Sequence, residues 1–114
     1  MISLMGKRVN AGRSYAGKIL HVELSRKKLE PRPLNIDWAT DFIGGKGLSA
    51  RYFYELQRPG TDPFSPDNHL IIMTGPLTGT IASTMSRIAV VTRSPLTGAF
   101  VDSYAGGYFP SELK

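Results

Sequence analysis

Residues 75–109, GPLTGTIASTMSRIAVVTRSPLTGAFVDSYAGGYF, carry one tetrapeptide twice, as Pro76-Leu77-Thr78-Gly79 and as Pro95-Leu96-Thr97-Gly98. Each copy puts proline where φ is fixed near −65° and glycine three residues on, where φ > 0 costs little. That is the composition of a tight turn closing a strand. Between the copies lies an apolar run over residues 88–92, led by Arg87. After the second copy come Gly106 and Gly107, then aromatics. Two turns flanking a strand hold several backbone segments together, so this stretch is expected to build a surface on which something rests.

Working outward, residues 69–74 (HLIIMT) form a continuous apolar run bounded by turn residues, the pattern of a buried central strand. Residues 99–102 read as a further strand, and the Gly pair leads to a helix starting near Tyr108. Lys114 falls about two turns into that helix, so the expectation is a domain truncated at its C-terminal end.

Upstream, Leu20, Val22 and Leu24 alternate with Ile19, His21 and Glu23. The leucine–valine face is expected to be buried, with His21 solvated on the polar face. Residues 25–28 form a polar turn, and Pro31 and Pro33 confine residues 29–34 to a return strand at an edge or to an extended loop. Asn35 is placed to cap a helix over residues 35–43, with Asp37 and Asp41 near its positive end. Gly44, Gly45 and Gly47 then interrupt the pattern; as helix interior they would cost about 2–3 kcal/mol against alanine. Two helices with a sharp joint are expected, the second over residues 48–57 with a stripe of Leu48, Tyr52, Phe53 and Leu56. A Pro-rich loop over residues 58–68 returns the chain to residue 69. The fold class is α+β: a β-rich domain with a hairpin, a Gly-jointed helix pair and a mixed sheet.

The 114 residues suffice for one domain, and the 41% apolar and 20% charged composition is that of a globular chain. No apolar run reaches the roughly 18 residues of a membrane span, and no secretory pattern opens the chain. A cytoplasmic location without membrane contact is the expectation. The net charge of +5 and pI near 9.7 favour anionic partners. Lys7, Arg8, Arg13 and Lys18 precede the first acidic residue, Glu23, and residues 1–14 read as a loose basic arm. Nucleic acid is disfavoured, because Tyr15 is the one aromatic near that arm. With no cysteine, the chain supplies no disulfide, thiolate zinc site or iron–sulfur ligand of its own.

No serine, histidine and aspartate are spaced as a nucleophile with its base, so no catalytic residue is assigned. Gly44-Gly45-Lys46-Gly47 fails as a phosphate loop, since Lys46 is followed by glycine and preceded by a helical pattern. It could present amides and Lys46 to an anion, or it could mark a close backbone crossing. Arg87 can grip a phosphate bidentately, with the hydroxyls of Thr84 and Ser86 beside it. The plain alternative is a strand-end charge paired with Asp102. The Gly pair would let a backbone approach a ligand closely, in front of the amides of the following helix.

Four segments in order resemble the N-terminal domain of the tungsten-containing aldehyde:ferredoxin oxidoreductases: GKILHVELS, IGGKGLSARYFYE, DPFSPDNHLIIMTGPLTGT and SRIAVVTRSPLTGAFVDSYAGGYFPSELK. The resemblance spans residues 15–114. It implies a base for a tungsten (or molybdenum) bis-pterin whose phosphates are bridged by magnesium. It implies that Arg87 contacts the pterin, and that Ser103, Tyr104, Ala105, Gly106 and Gly107 form the pterin and magnesium–phosphate region. The backbone carbonyl of Tyr104 would face the magnesium; asparagine is common in the family at that position. The implied reaction is oxidation of an aldehyde to a carboxylic acid, with electrons passing through a [4Fe-4S] cluster to ferredoxin. Family enzymes are several times longer, so cluster ligands and acid–base groups fall in domains absent here, supplied in cis or as a separate chain. The 114-residue chain is expected to be inactive alone and to self-associate. The other reading is a stand-alone pterin- or anion-binding module or partner subunit.

Overall fold

A computed structural model describes residues 14–114; the basic arm over residues 1–14 thus lies, except for Ser14, outside the described residues. The first elements are an antiparallel hairpin, β1 (Lys18–Glu23) and β2 (Lys28–Pro33), with Leu20 opposite Pro31 and Val22 opposite Leu29. Its burial reverses the expectation. Leu20 (58% exposed), Val22, Leu24 and Leu29 face outward, while Ile19, His21 and Glu23 are half-covered. Strand alternation says which residues share a face, not which face finds a neighbour. Among the described residues, no helix and no third strand packs extensively on the hairpin.

Helix α1 (Ile36–Phe42) starts as its sequence dictates: the Asn35 side chain accepts the N–H of Trp38 at 3.0 Å, and Asp37 lies in the first turn. Tyr15 closes the other end, its hydroxyl donating to the carbonyls of Ala39 (3.1 Å) and Ile43 (2.6 Å). Helix α2 (Gly45–Leu56) begins earlier than expected, so Gly45 and Gly47 lie in its first turn. The joint shrinks to Ile43 and Gly44. Ile43 takes φ 65 and ψ −71, and the Gly44 N–H reaches back to the Phe42 carbonyl at 2.8 Å, a tight and strained γ-turn. The glycines permit close crossings. A Cβ at Gly47 would stand 2.7 Å from the Phe42 carbonyl oxygen, and one at Gly44 would stand 3.0 Å from both Gly75 Cα and Pro76 Cδ. Trp38 meets Tyr52 edge-on at 5.0 Å and lies under the Arg51 guanidinium at 4.2 Å, which ties α1 to α2.

The second sheet is three-stranded, ordered β3 (Ile71–Thr74), β4 (Arg87–Arg93), β5 (Phe100–Gly106). Two expectations change. The α+β class stands, but both sheets are antiparallel throughout the described residues, not mixed, because short turns join β1 to β2 and β4 to β5. The central strand is β4, not residues 69–74: β4 alone pairs on both edges, and Leu70 and Ile72 are exposed. Strand β5 also runs to Gly106 rather than ending at Asp102. Both tetrapeptides turn with glycine at positive φ, Gly79 at 69° and Gly98 at 68°. They differ in setting. The second closes the β4–β5 hairpin, with the Ser94 N–H donating to the Ala99 carbonyl. The first is docked, with Thr78 buried and its hydroxyl between the Gly75 N–H and the Arg87 carbonyl.

Helix α2 supplies the core against this sheet. Phe53 meets Phe100 edge-on at 5.5 Å, and Lys46 pairs with Asp102. Cross-strand register puts those partners on the face with Val91 and Ala89, both fully covered. Covering Leu48 and Val91 stabilises the fold by about 2 kcal/mol each. Helix α3 (Phe109–Leu113) touches β4 and β5, with Pro110 buried.

Candidate functional site

Helix α2 crosses the sheet diagonally. Its second half lies over Phe100 at the start of β5, while Gly44, just before its first turn, abuts Gly75 at the end of β3. That diagonal leaves one corner uncovered, the end of β5 with the start of β4. Arg87 stands directly opposite Gly106 there, and Ala89 opposite Tyr104. By alternation the side chains of Arg87 and Tyr104 share the α2 face, whereas Ser103 and Ala105 face the other side. Arg87, Ser103, Tyr104, Ala105, Gly106 and Gly107 are all exposed. The structure therefore brings the expected residues to one corner but divides their side chains between two faces. Beside Arg87 runs the outer edge of β5, which has no strand partner among the described residues. The backbone groups of alternate residues along that edge, Tyr104 among them, are open.

The Arg87 guanidinium makes neither a hydrogen bond nor an ion pair among the described residues, and the alternative pairing with Asp102 is not formed. Asp102 stands opposite Val91, four positions along β4, and is paired with Lys46 at 2.9 Å. Arg93, at the other end of β4, contrasts with Arg87. Its Nε donates to the Gly98 carbonyl at 2.7 Å and its Nη1 to the Thr61 carbonyl at 2.8 Å, so it holds the second turn to the preceding loop. One strand thus carries a structural arginine at one end and an uncommitted one at the other.

Other expected contributors are already engaged. The Ser86 hydroxyl donates to the Gly107 carbonyl and lies 3.0 Å from the Ser111 hydroxyl, pinning the start of β4 to the chain after β5. The Thr84 hydroxyl donates to the Ser83 carbonyl. Helix α3 has only five residues, too short to present a field of aligned amides. The glycine joint is the close crossing, and Lys46 is held by Asp102 rather than offered to an anion.

That ion pair was not visible in the sequence, since its partners lie in different elements and meet only where α2 crosses the sheet. Lys46 holds the Asp102 carboxyl below the usual carboxylate range, with help from the Tyr104 phenol. Asp102 in turn raises Lys46 and is the main cause of a raised Tyr104 phenol. At the first turn, the Lys114 ammonium donates to the carbonyls of Pro76 (2.6 Å) and Thr78 (2.8 Å), and burial pushes its pKa down. His69 is tied to Gln57 Oε1 through its backbone N–H and its Nδ1. No group of three His, Asp or Glu side chains that could hold a metal occurs among the described residues. Two clefts lie elsewhere, one of about 820 Å³ between α2 and Phe100 and Arg93, the other of about 310 Å³ beside Lys114. Neither includes Arg87; the candidate site is an open corner of a sheet.

Fold and corner together define a small α+β domain with an uncommitted arginine at an open corner of its three-stranded sheet. The chain belongs to the aldehyde ferredoxin oxidoreductase family: the family model described as aldehyde ferredoxin oxidoreductase, N-terminal domain, matches residues 19–114. It is 45% identical over 100 residues to a tungsten-containing aldehyde ferredoxin oxidoreductase of Pyrococcus horikoshii, covering 88% of this chain and 16% of the relative. A Pyrococcus furiosus enzyme of the same description is 42% identical over 98 residues, 86% of this chain and 16% of the relative. An aliphatic sulfonate oxidoreductase, WOR-like subunit, of Pyrococcus furiosus is 35% identical over 104 residues, 89% of this chain and 16% of the relative. Among solved structures, the active-site complex BamBC of benzoyl coenzyme A reductase with 1,5 dienoyl-CoA superposes with a TM-score of 0.85 at 33% identity, over 88% of this chain and 15% of that one. The chain thus spans about a sixth of the length of the curated relatives it matches. No helix among the described residues is long and apolar enough to cross a membrane.

Proposed function

We propose that this domain is the platform on which the metal–pterin cofactor of a tungsten-dependent oxidoreductase rests. The whole enzyme then oxidises aldehydes to carboxylic acids and passes electrons through a [4Fe-4S] cluster to ferredoxin. The observation that carries the reading is the uncommitted Arg87 guanidinium at an uncovered sheet corner, opposite a glycine. A phosphorylated, flat ligand needs a cation, open backbone groups and room for close approach, and the corner offers all three. Arg87 grips a pterin phosphate bidentately. Gly106 and Gly107 leave space for the ligand, and Tyr104 contributes its backbone groups along the open edge, while antiparallel alternation turns those of Ser103 and Ala105 towards β4. The Tyr104 carbonyl would hold a magnesium ion that neutralises the phosphates. When bound, the tungsten–pterin group supplies the two-electron redox chemistry; the residues here bind and orient it. Cluster ligands come from the remaining domains, in cis or as a separate chain, because this chain contains no cysteine.

The test is to purify the full-length oxidoreductase containing this domain from cells supplied with tungstate. Tungsten and released pterin per chain are measured together with aldehyde-dependent reduction of ferredoxin or a viologen. Bound pterin with aldehyde turnover supports the reading; a folded full-length protein carrying no pterin overturns it. The isolated chain is expected to give no turnover with a viologen acceptor. The fold likeness to the benzoyl coenzyme A reductase complex favours a second reading, a subunit that works with a partner on a coenzyme A thioester. Turnover of a dienoyl-CoA in place of aldehydes would select it.

A further inference from the structure

Arg87 stands where two ladders end. On one side β3 stops at Thr74, opposite Ile88, so the next step along that register joins Gly75 to Arg87. On the other, Arg87 faces Gly106, the last residue of β5, and the next step joins Ser86 to Gly107. A side-chain hydroxyl bonds across each of these steps, and each has a fixed direction. The Gly75 N–H donates to the Thr78 hydroxyl at 3.1 Å, so the Thr78 proton goes to the Arg87 carbonyl, 3.4 Å away. The Ser86 hydroxyl gives its one proton to the Gly107 carbonyl, so Ser111, at 3.0 Å, donates to Ser86. One end of the chain backs both steps. Ser111 of α3 holds Ser86, and the Lys114 ammonium holds the turn that carries Thr78, through the Pro76 and Thr78 carbonyls at 2.6 and 2.8 Å.

We infer that Thr78 and Ser86 are positioning residues for Arg87: their hydroxyls carry both ladders one step past it, so that its stem stays beside Gly106 and its guanidinium stays free for a pterin phosphate. The inference rests on the platform reading above. An arginine whose guanidinium bonds no protein group among the described residues is aimed by the backbone that carries it. Backbone at the end of a sheet opens more readily than backbone within one. The chain also leaves the ladders at both places: the Gly75 carbonyl takes the Thr78 N–H at 3.2 Å, and Gly107 turns at φ 112. The two hydroxyls close this end of the sheet without engaging the guanidinium. Thr78 does so from a buried position, 5% exposed, where water cannot take its place.

The experiment uses the full-length oxidoreductase, with tungsten and released pterin per folded chain as the readout. Thr78→Val and, separately, Ser86→Ala are expected to lower pterin retention by up to about fivefold, the range of one lost hydrogen bond. Thr78→Ser and Ser86→Thr keep a hydroxyl and are expected to hold wild-type pterin. In an Arg87→Ala background the two hydroxyl losses are expected to lower pterin no further, because no guanidinium is left to aim. A merely structural role would lower the melting temperature in either background and leave pterin per folded chain unchanged. Ser86 is only half-buried, so Ser86→Ala remains informative if Thr78→Val lowers expression. Full retention in both Thr78→Val and Ser86→Ala overturns the inference, as does an equal further loss in the Arg87→Ala background. A wild-type protein without pterin overturns the platform reading and this inference with it, an outcome that is distinct because it precedes any substitution.

Discussion

Arg87 faces Gly106 across the β4–β5 ladder, and a Cβ added to that glycine would stand 4.0 Å from Arg87 Cγ and 3.4 Å from the Ser86 carbonyl oxygen. The arginine stem therefore runs beside bare backbone, and its guanidinium has no protein partner among the described residues. Arg93, on the same strand, is held by two carbonyls. Replacing each by alanine should separate function from stability. Arg87→Ala in the full-length enzyme is expected to leave the melting temperature within about 1 °C while lowering pterin content or activity about tenfold or more, the scale of a lost charge-assisted contact. Arg93→Ala is expected to do the reverse, lowering stability by about 1–3 kcal/mol with pterin per folded chain unchanged. Equal pterin and activity in Arg87→Ala would remove it from the site.

The joint between α1 and α2 should respond with opposite signs at adjacent positions. Gly44→Ala brings a methyl within 3.0 Å of Gly75 and Pro76 and is expected to destabilise by about 1–3 kcal/mol. Ile43→Gly relieves an exposed β-branched residue at φ 65 and is expected to stabilise by about 1 kcal/mol. Urea midpoints of the two variants check both; a neutral Gly44→Ala would deny the close crossing.

The Lys46–Asp102 pair sets an acid limb. Because the folded Asp102 carboxyl titrates below its unfolded value, its contribution is complete above the ordinary carboxylate range, near 3.8, and is lost as pH falls through the folded value. Lys46 titrates above its unfolded value, near 10.5, so the same contribution is present below that pH and fades as pH rises beyond it. Melting curves of wild type and Asp102→Asn should therefore differ most between about pH 5 and 9 and converge towards both extremes. The separation should be small, because the pair is partly exposed, and should shrink in high salt. A gap that widens below pH 3 would contradict this assignment.

The hairpin presents Leu20, Val22, Leu24 and Leu29 to the outside. An apolar face without a neighbour among the described residues favours association, so the 114-residue chain is expected to sediment as dimers or larger species and to bind a dye specific for apolar patches. Leu20→Lys with Val22→Thr should shift it towards monomer with little loss of stability, as neither side chain is in the core. A wild-type chain that sediments as a monomer without dye binding would count against this view.

Local features were legible in the sequence because they depend on neighbours along the chain. Asn35 caps α1, Gly79 and Gly98 turn at positive φ, and the two tetrapeptides bracket a strand led by Arg87; each follows from side-chain chemistry acting over a few residues. The order of four segments was equally local information, and it was enough to point to the family. Tertiary structure decided what depends on neighbours across space. It made β4 the central strand in place of residues 69–74, because only β4 pairs on both edges. It turned the leucine face of the hairpin outward, because alternation separates two faces without naming the covered one. Among the described residues it left the Arg87 guanidinium without a partner, because the register sets Asp102 opposite Val91, four positions away, where Lys46 of α2 pairs with it. The sequence determined that an arginine would lead one strand and that a glycine pair would follow the next; the antiparallel register of β4 and β5 decided that the two would stand side by side.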